Sequence, residues 1–219
     1  MIVDENTKIY VGDIQIKKIY QGNTDISPLP YTELEYIEDT GTQYINTGFQ
    51  ANGGMTAKYR AAWTDKGGYI VGSHNYNNPY GRNGGNYSDA SSMWELGYGD
   101  YYPRISHQFA KEQIYDVEFS TIIGQAYLKV DGETLHTDTR TTTISTLDVM
   151  VFTNSYSVRN NPSAPGTKAR LYWLKIYDSN GNLVRDFIPV LDKSNVPCLY
   201  DKVSKTYFYN QGTGQFLYR

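Results

Sequence analysis

The stretch Ala169-Arg170-Leu171-Tyr172-Trp173-Leu174-Lys175-Ile176-Tyr177, followed by Asp178-Ser179-Asn180-Gly181-Asn182, decides the fold class. The first nine residues are dominated by aromatic and aliphatic side chains that suit a pleated, packed surface. The Asn180-Gly181 dipeptide then supplies the turn conformations that send a chain back antiparallel to itself. Leu171, Trp173, Lys175 and Tyr177 alternate with Tyr172, Leu174 and Ile176, so both faces are largely apolar, which predicts a central strand covered on both sides.

The same composition recurs outward from this stretch. Tyr44–Thr47, Met55–Tyr59, Tyr69–Val71, Tyr115–Ser120, Gln125–Val130 and Thr146–Phe152 are short runs of β-favouring residues separated by Gly, Asn, Asp and Pro. Val130-Asp131-Gly132-Glu133 reads as a second hairpin turn. No window sustains the apolar three-to-four spacing of a long helix, and the nearest candidate, Ser88 to Leu96, is short and polar. Many strands with almost no helix predict an all-β chain built as an antiparallel β-sandwich.

Composition narrows the function. The chain has 219 residues, with 20 Lys+Arg against 23 Asp+Glu and a formal charge of −3. All-β units often run to roughly 200–250 residues, so one large domain is allowed. A near-neutral balance without a concentrated basic face argues against binding nucleic acid through its phosphates. Asp4, Glu5, Lys8 and Asp13 interrupt the apolar core a signal peptide would need, and no run approaches a membrane span; a soluble, non-secreted chain is expected. The lone Cys198 excludes an intrachain disulfide and a cysteine zinc cage, and reads as a small buried apolar residue. His74, His107 and His136 show no metal-ligand spacing.

Residues 1–30 stand apart. Lys8-Ile9-Tyr10-Val11-Gly12-Asp13 is echoed ten residues later by Lys18-Ile19-Tyr20-Gln21-Gly22-Asn23, and Pro28 and Pro30 close the segment. Each copy places an Ile-Tyr pair before a Gly-Asp or Gly-Asn turn. So small a piece cannot bury enough apolar surface to stand alone. It either folds onto its own domain or, through Ile9, Tyr10, Ile19 and Tyr20, attaches the chain to another subunit.

A second candidate surface is the Gly/Asn/Tyr-rich stretch from His74 to Tyr102, with Tyr76, Tyr80, Arg82, Tyr87, Trp94, Tyr98, Tyr101 and Tyr102. Rings on loops offer flat apolar area with a polar edge at small entropic cost. Three readings stay open: a subunit interface, a glycan contact, and cross-strand aromatic packing within the domain.

Leu34-Glu35-Tyr36-Ile37-Glu38-Asp39-Thr40-Gly41-Thr42-Gln43-Tyr44-Ile45-Asn46-Thr47-Gly48 resembles the opening strand of concanavalin A-like, laminin G-like jelly-roll domains of bacteriophage and prophage virion proteins. Tyr127–Gly132 resembles a strand and turn of that family, and Ala169–Asp178, Leu183–Val190 and Leu199–Gly214 resemble its closing segments, so the likeness covers most of residues 31–219. The amino-terminal repeat is similar to segments of tail and virion proteins. The resemblance implies a jelly roll over 31–219 and a virion accessory protein: a head fibre, capsid decoration or tail appendage on the particle surface, made in the bacterial host cytoplasm. It implies other capsid or tail proteins as partners, and self-association into a homo-oligomer, with a trimer as one option. A host-surface glycan is the ligand it suggests, with no cofactor, no nucleic acid and no membrane insertion.

Jelly rolls of this group also include glucanases. Glu33-Leu34-Glu35-Tyr36-Ile37-Glu38 resembles their acidic strand motif, yet on a plain strand Glu33 and Glu35 share one face and Glu38 takes the other. A retaining glycosidase needs two carboxyl groups about 5–5.5 Å apart. Asp116 and Glu118 have same-face spacing but no third acid. No enzyme activity is expected; a glucanase-like hydrolase and a purely structural subunit without ligand are the alternatives. Asp89, Glu95 and Asp100 have no diagnostic calcium spacing, so no metal site is assigned.

Overall fold

A computed structural model describes residues 10–11, 14–15, 20–21, 24–25, 31–65, 67–75, 81–88, 93–101, 103–107, 110–160 and 166–219. In the amino-terminal repeat, β1 (Tyr10–Val11) pairs with β2 (Ile14–Gln15), and β3 (Tyr20–Gln21) with β4 (Thr24–Asp25). Each copy of the repeat thus begins its own two-stranded ladder, and among the described residues neither ladder joins the larger sheets.

The rest is built from β5 (Thr32–Glu33), β6 (Ile37–Glu38), β7 (Ile45–Gln50), β8 (Thr56–Trp63), β9 (Gly68–Asn75), β10 (Gly81–Ser88), β11 (Met93–Tyr98), β12 (Arg104–Ile105), β13 (Tyr115–Ser120), β14 (Ala126–Val130), β15 (Glu133–Asp138) and β16 (Asp148–Val151). After one short helix, α1 (Ser155–Asn160), come β17 (Ala169–Tyr177), β18 (Leu183–Leu191), β19 (Pro197–Asp201), β20 (Thr206–Phe208) and β21 (Leu217–Tyr218). One sheet runs β12-β11-β10-β9-β16-β7. The larger runs β15-β14-β13-β8-β17-β18-β19-β20, with β5 paired to β18 and β6 paired to β17 and β21. The pairs are antiparallel, and the expected all-β sandwich is what the chain forms.

The core is set by period-two alternation. Ala57, Tyr59, Ala61 and Trp63 of β8, Tyr115, Val117 and Phe119 of β13, and Ala126, Leu128 and Val130 of β14 face inward. From the smaller sheet, Trp94, Leu96 and Tyr98 of β11 meet them, each fully buried. Trp94 lies edge-on to Trp63 at 5.3 Å and to Tyr115 at 5.4 Å, so one indole clasps two strands of the opposite sheet. The described part of the Ser88–Leu96 region is strand: Tyr87 pairs with Trp94 and Ser88 with Met93.

Both expected turns form. Val130 pairs with Glu133 around Asp131 and Gly132, whose φ values of 49° and 83° give the two left-handed residues of a type I′ turn. Asp178 Oδ1 accepts the backbone N–H groups of Asn180 and Asn182 at 2.9 Å, with Gly181 at φ 83°. Cys198 is buried with Tyr31 and Val190 in a small apolar cluster, and burial, reinforced by Asp192, pushes its thiol up to about 12.

Candidate functional site

The site grows out of an irregularity in β17. Leu171 pairs with Ala61 of β8, but Arg60, the next residue along, is met by Trp173, leaving Tyr172 as an extra residue in the ladder. A bulge of this kind bends the strand and re-aims its side chains. Leu171 and Leu174 stay fully buried, while the consecutive Tyr172 and Trp173 both emerge, half-buried, on the outer face of the large sheet. This corrects the expectation of a strand covered on both faces: the inner face of β17 is apolar, and the outer one carries Arg170, Tyr172, Trp173, Lys175 and Tyr177.

Tyr172 and Trp173 line a groove of about 450 Å³ whose other walls include Lys58, Lys175, Asp186 and Lys202. The aromatic ring of Tyr36 meets that of Tyr172 at 5.6 Å and 62°, and the Arg170 guanidinium lies 5.3 Å over Tyr36, which fixes the tyrosine wall. A smaller hollow of about 120 Å³, formed with Asp116, Glu118 and Lys129, shares Lys58 and Trp173 with the groove, so the two are contiguous across the tryptophan.

The acids beside Trp173 are paired with cations. Arg60 grips Asp116 through two nitrogens at 2.8 and 2.6 Å. Burial raises the Glu118 pKa, but the Tyr127 hydroxyl at 2.6 Å, the Lys58 ammonium at 3.1 Å and Lys129 outweigh it and leave the carboxyl below its ordinary range. Glu33, Glu35 and Glu38 do not converge: Glu33 sits on β5 against β18, Glu35 lies 3.3 Å from Arg219, and Glu38 lies 2.7 Å from Arg170.

A third hollow, about 430 Å³, opens where β20 approaches β7 and is lined by Tyr207, Phe208, Tyr209, Asn46 and Asn210. Two of its amides are already committed: Asn210 accepts from Tyr44 and Gly212 and donates to Gly214, and Asn46 donates to Asp148. The Trp173 groove has more polar capacity to offer a ligand.

The aromatic stretch between residues 74 and 102 is distributed differently from the expected loop platform. Tyr76, Tyr80 and Tyr102 lie outside the described residues, as do the side chains of Arg82 and Tyr87, whose backbones belong to β10. Trp94 and Tyr98 are fully buried, so for them the packing reading replaces surface contact. The Tyr98 hydroxyl donates to the Arg140 carbonyl and accepts from the Gly124 N–H at 2.9 Å. Tyr101 is half-buried beneath the Arg140 guanidinium, 3.7 Å from its ring centre. Gly84 has a packing reason: it is buried, and a Cβ there would stand 2.6 Å from the Tyr69 ring. Ile9 and Ile19, and the side chains of Tyr10 and Tyr20, also lie outside the described residues. Glu95 pairs with Arg104 at 2.9 Å and Asp100 accepts from Thr142, while Asp89 lies outside the described residues. Among the described residues no three His, Cys, Asp or Glu side chains gather as a metal ion requires.

No family model and no curated protein matches the chain. Among solved structures it is similar to a putative carbohydrate binding protein from Bacteroides ovatus ATCC 8483, with a TM-score of 0.57 and 12% identity over 88% of this chain and 60% of that one. The fold is a jelly-roll sandwich. Mouse laminin α1 domains LG4-5 give a TM-score of 0.47 at 14% identity, over 72% of this chain and 45% of that one. Trypanosoma rangeli sialidase gives 0.44 at 15%, over 60% and 22%. The jelly roll thus spans 60% or less of the length of each of these proteins, and the likeness is one of architecture.

Proposed function

We propose that the chain is a non-catalytic carbohydrate-binding jelly roll carried on a phage virion. The observation that carries the sugar reading is the pair of consecutive rings, Tyr172 and Trp173, lifted by a bulge into a groove edged with charged side chains. Sugar rings stack their C–H faces on aromatic surfaces, and their hydroxyls accept and donate to charged groups at the edge; the groove presents both in one place. The similarity to a protein described as carbohydrate binding points the same way. Against catalysis, Asp116 and Glu118 are both neutralised by cations, and Glu118, with its pKa lowered, is a poor proton donor for a leaving group.

The virion reading rests on the sequence resemblance and on the ten-residue repeat, each copy of which makes a separate small ladder. Residues 1–30 serve as the attachment segment, to capsid or tail proteins or to further copies of the chain, and the sandwich is displayed outward. Copy number then multiplies a weak contact with host-surface glycan.

The test is a glycan array followed by calorimetry on the binders, with Trp173→Ala as the comparison. Removing the stacking ring should weaken binding about tenfold or more, a loss of ~1.4 kcal/mol. Wild-type protein that binds no glycan, or binding indifferent to Trp173→Ala, sinks the reading.

A further inference from the structure

Across the groove and the smaller hollow beside it, the strand registers align six side chains in one row. Lys129 of β14 faces Glu118 of β13, Glu118 faces Lys58 of β8, Lys58 faces Lys175 of β17, and Lys175 faces Asp186 of β18. Lys202, exposed just beyond β19, donates its backbone N–H to the Asp186 carbonyl and places its side chain at the end of the row. The row spans four strand spacings, about 19 Å, from β14 to β18.

The centre of this row costs stability. Lys58 and Lys175 are opposite each other in an antiparallel pair, where like charges repel. Each ammonium reaches for the acid on its far side, Lys58 for Glu118 at 3.1 Å and Lys175 for Asp186 at 3.6 Å. Four lysines meet only two acids along the row, in a chain whose overall charge is −3. Glu33 at the rim offsets one of these charges, and the remaining positive excess lies beside Trp173, across the groove and the hollow contiguous with it, against the sign of the molecule.

From this arrangement we infer that the groove's ligand is an anionic glycan, a carboxylated or sulfated oligosaccharide whose acidic group sits over the Lys58–Lys175 pair while a ring stacks on Trp173. This inference rests on the sugar-binding reading and specifies its substrate class. An anion placed between the two ammonium groups turns their repulsion into two charge-assisted hydrogen bonds. The length of the row fits an oligosaccharide better than a single sugar. Arg60 and Arg170 on the same face are already spent on Asp116 and Glu38, so the anion is met by lysine point charges and not by a bidentate fork, which suits carboxylate and sulfate alike.

The experiment is calorimetric titration of the full chain with neutral, uronate-containing and sulfated oligosaccharides of equal length, at low and physiological salt. An acidic ligand should bind about tenfold tighter than the neutral one, with the gap narrowing as salt rises. Lys175→Gln and Lys58→Gln should weaken the acidic ligand by a much larger factor than the neutral one, so that most of the preference disappears, whereas Asp186→Asn should tighten the acidic ligand, a gain that a merely damaged fold would not produce. The uronate and sulfate arms identify which anion is taken. Equal affinity for neutral and acidic sugars overturns this inference and leaves the sugar reading standing, and no binding of any sugar overturns both. A single-stranded oligonucleotide binding as tightly as the acidic sugar overturns the glycan assignment.

Discussion

Asp39 shows how much one side chain can hold. Fully buried, it accepts backbone N–H groups from Gly41 at 2.7 Å, Gln43 at 3.1 Å, Thr167 at 2.6 Å and Lys168 at 2.8 Å, tying the loop before β7 to the segment that enters β17. Burial raises its pKa, and the four donors offset part of that rise. Gly166 leaves the room for it: a Cβ there would come within 2.4 Å of the carboxylate. Asp39→Ala would strand buried donors and is expected to cost about 3 kcal/mol or more, read as a drop in the urea midpoint at unchanged m-value. Glu118 gives a prediction in pH. Its folded pKa is lowered, so between the folded and unfolded values the unfolded chain binds the proton more tightly and stability rises with pH. The contribution is present above the unfolded carboxyl range, near pH 4, and is lost as pH falls through the folded value. The side chain is 26% exposed, so about 1 kcal/mol or less is at stake. Thermal melts of wild type and Glu118→Gln should differ at pH 7 and draw together as the pH falls below the ordinary carboxyl range; a difference that widens in acid would show the opposite linkage.

At the level of elements, what the sequence announces and what it hides have separate causes. The strands rich in β-branched and aromatic residues are legible, with Tyr115–Ser120 and Ala169–Tyr177 falling at their observed limits, as are the Asp131-Gly132 and Asn180-Gly181 turns. Strand β10 is hidden because Gly81, Gly84 and Gly85 read as loop, although Gly84 is there to admit the Tyr69 ring. The burial of Trp94 was signalled by the alternation Trp94, Leu96, Tyr98, which composition obscured. The groove escaped notice because outward residues of a strand look ordinary one at a time. Its trace is a break in alternation, two rings between Leu171 and Leu174, and only the pairing with β8 shows that the break is a bulge. Deleting Tyr172 should therefore restore a regular ladder, with Leu171 and Leu174 still inward and Trp173 outward between them. The expected result is a folded protein by circular dichroism whose sugar affinity falls about tenfold with the loss of one aromatic wall. Unchanged affinity would separate the bulge from binding.

For the molecule as a whole, the question is whether the sandwich needs residues 1–30. Among the described residues, β1 to β4 pair only with one another, so a cut before Tyr31 removes no ladder hydrogen bond from either large sheet. Tyr31 itself must be kept, because it is buried at 8% exposure over Val190 and Cys198 and its ring packs 4.5 Å from that of Tyr200. The β5 strand that follows pairs with β18 and carries Glu33 to the groove's rim, so a cut any later would damage the site together with the fold. A chain of residues 31–219 is therefore expected to melt within a few degrees of the full protein and to bind the same sugars with the same single-site affinity. If residues 1–30 attach the chain to a virion as proposed, what it should lose is multiplicity: it should be missing from purified particles, and the avidity of many displayed copies should vanish with it. Melting curves, single-site titrations and the protein content of particles made with each version separate the possibilities. A large fall in melting temperature would make residues 1–30 part of the sandwich's own stability, and truncated chain recovered in particles at full copy number would move the attachment surface onto the jelly roll.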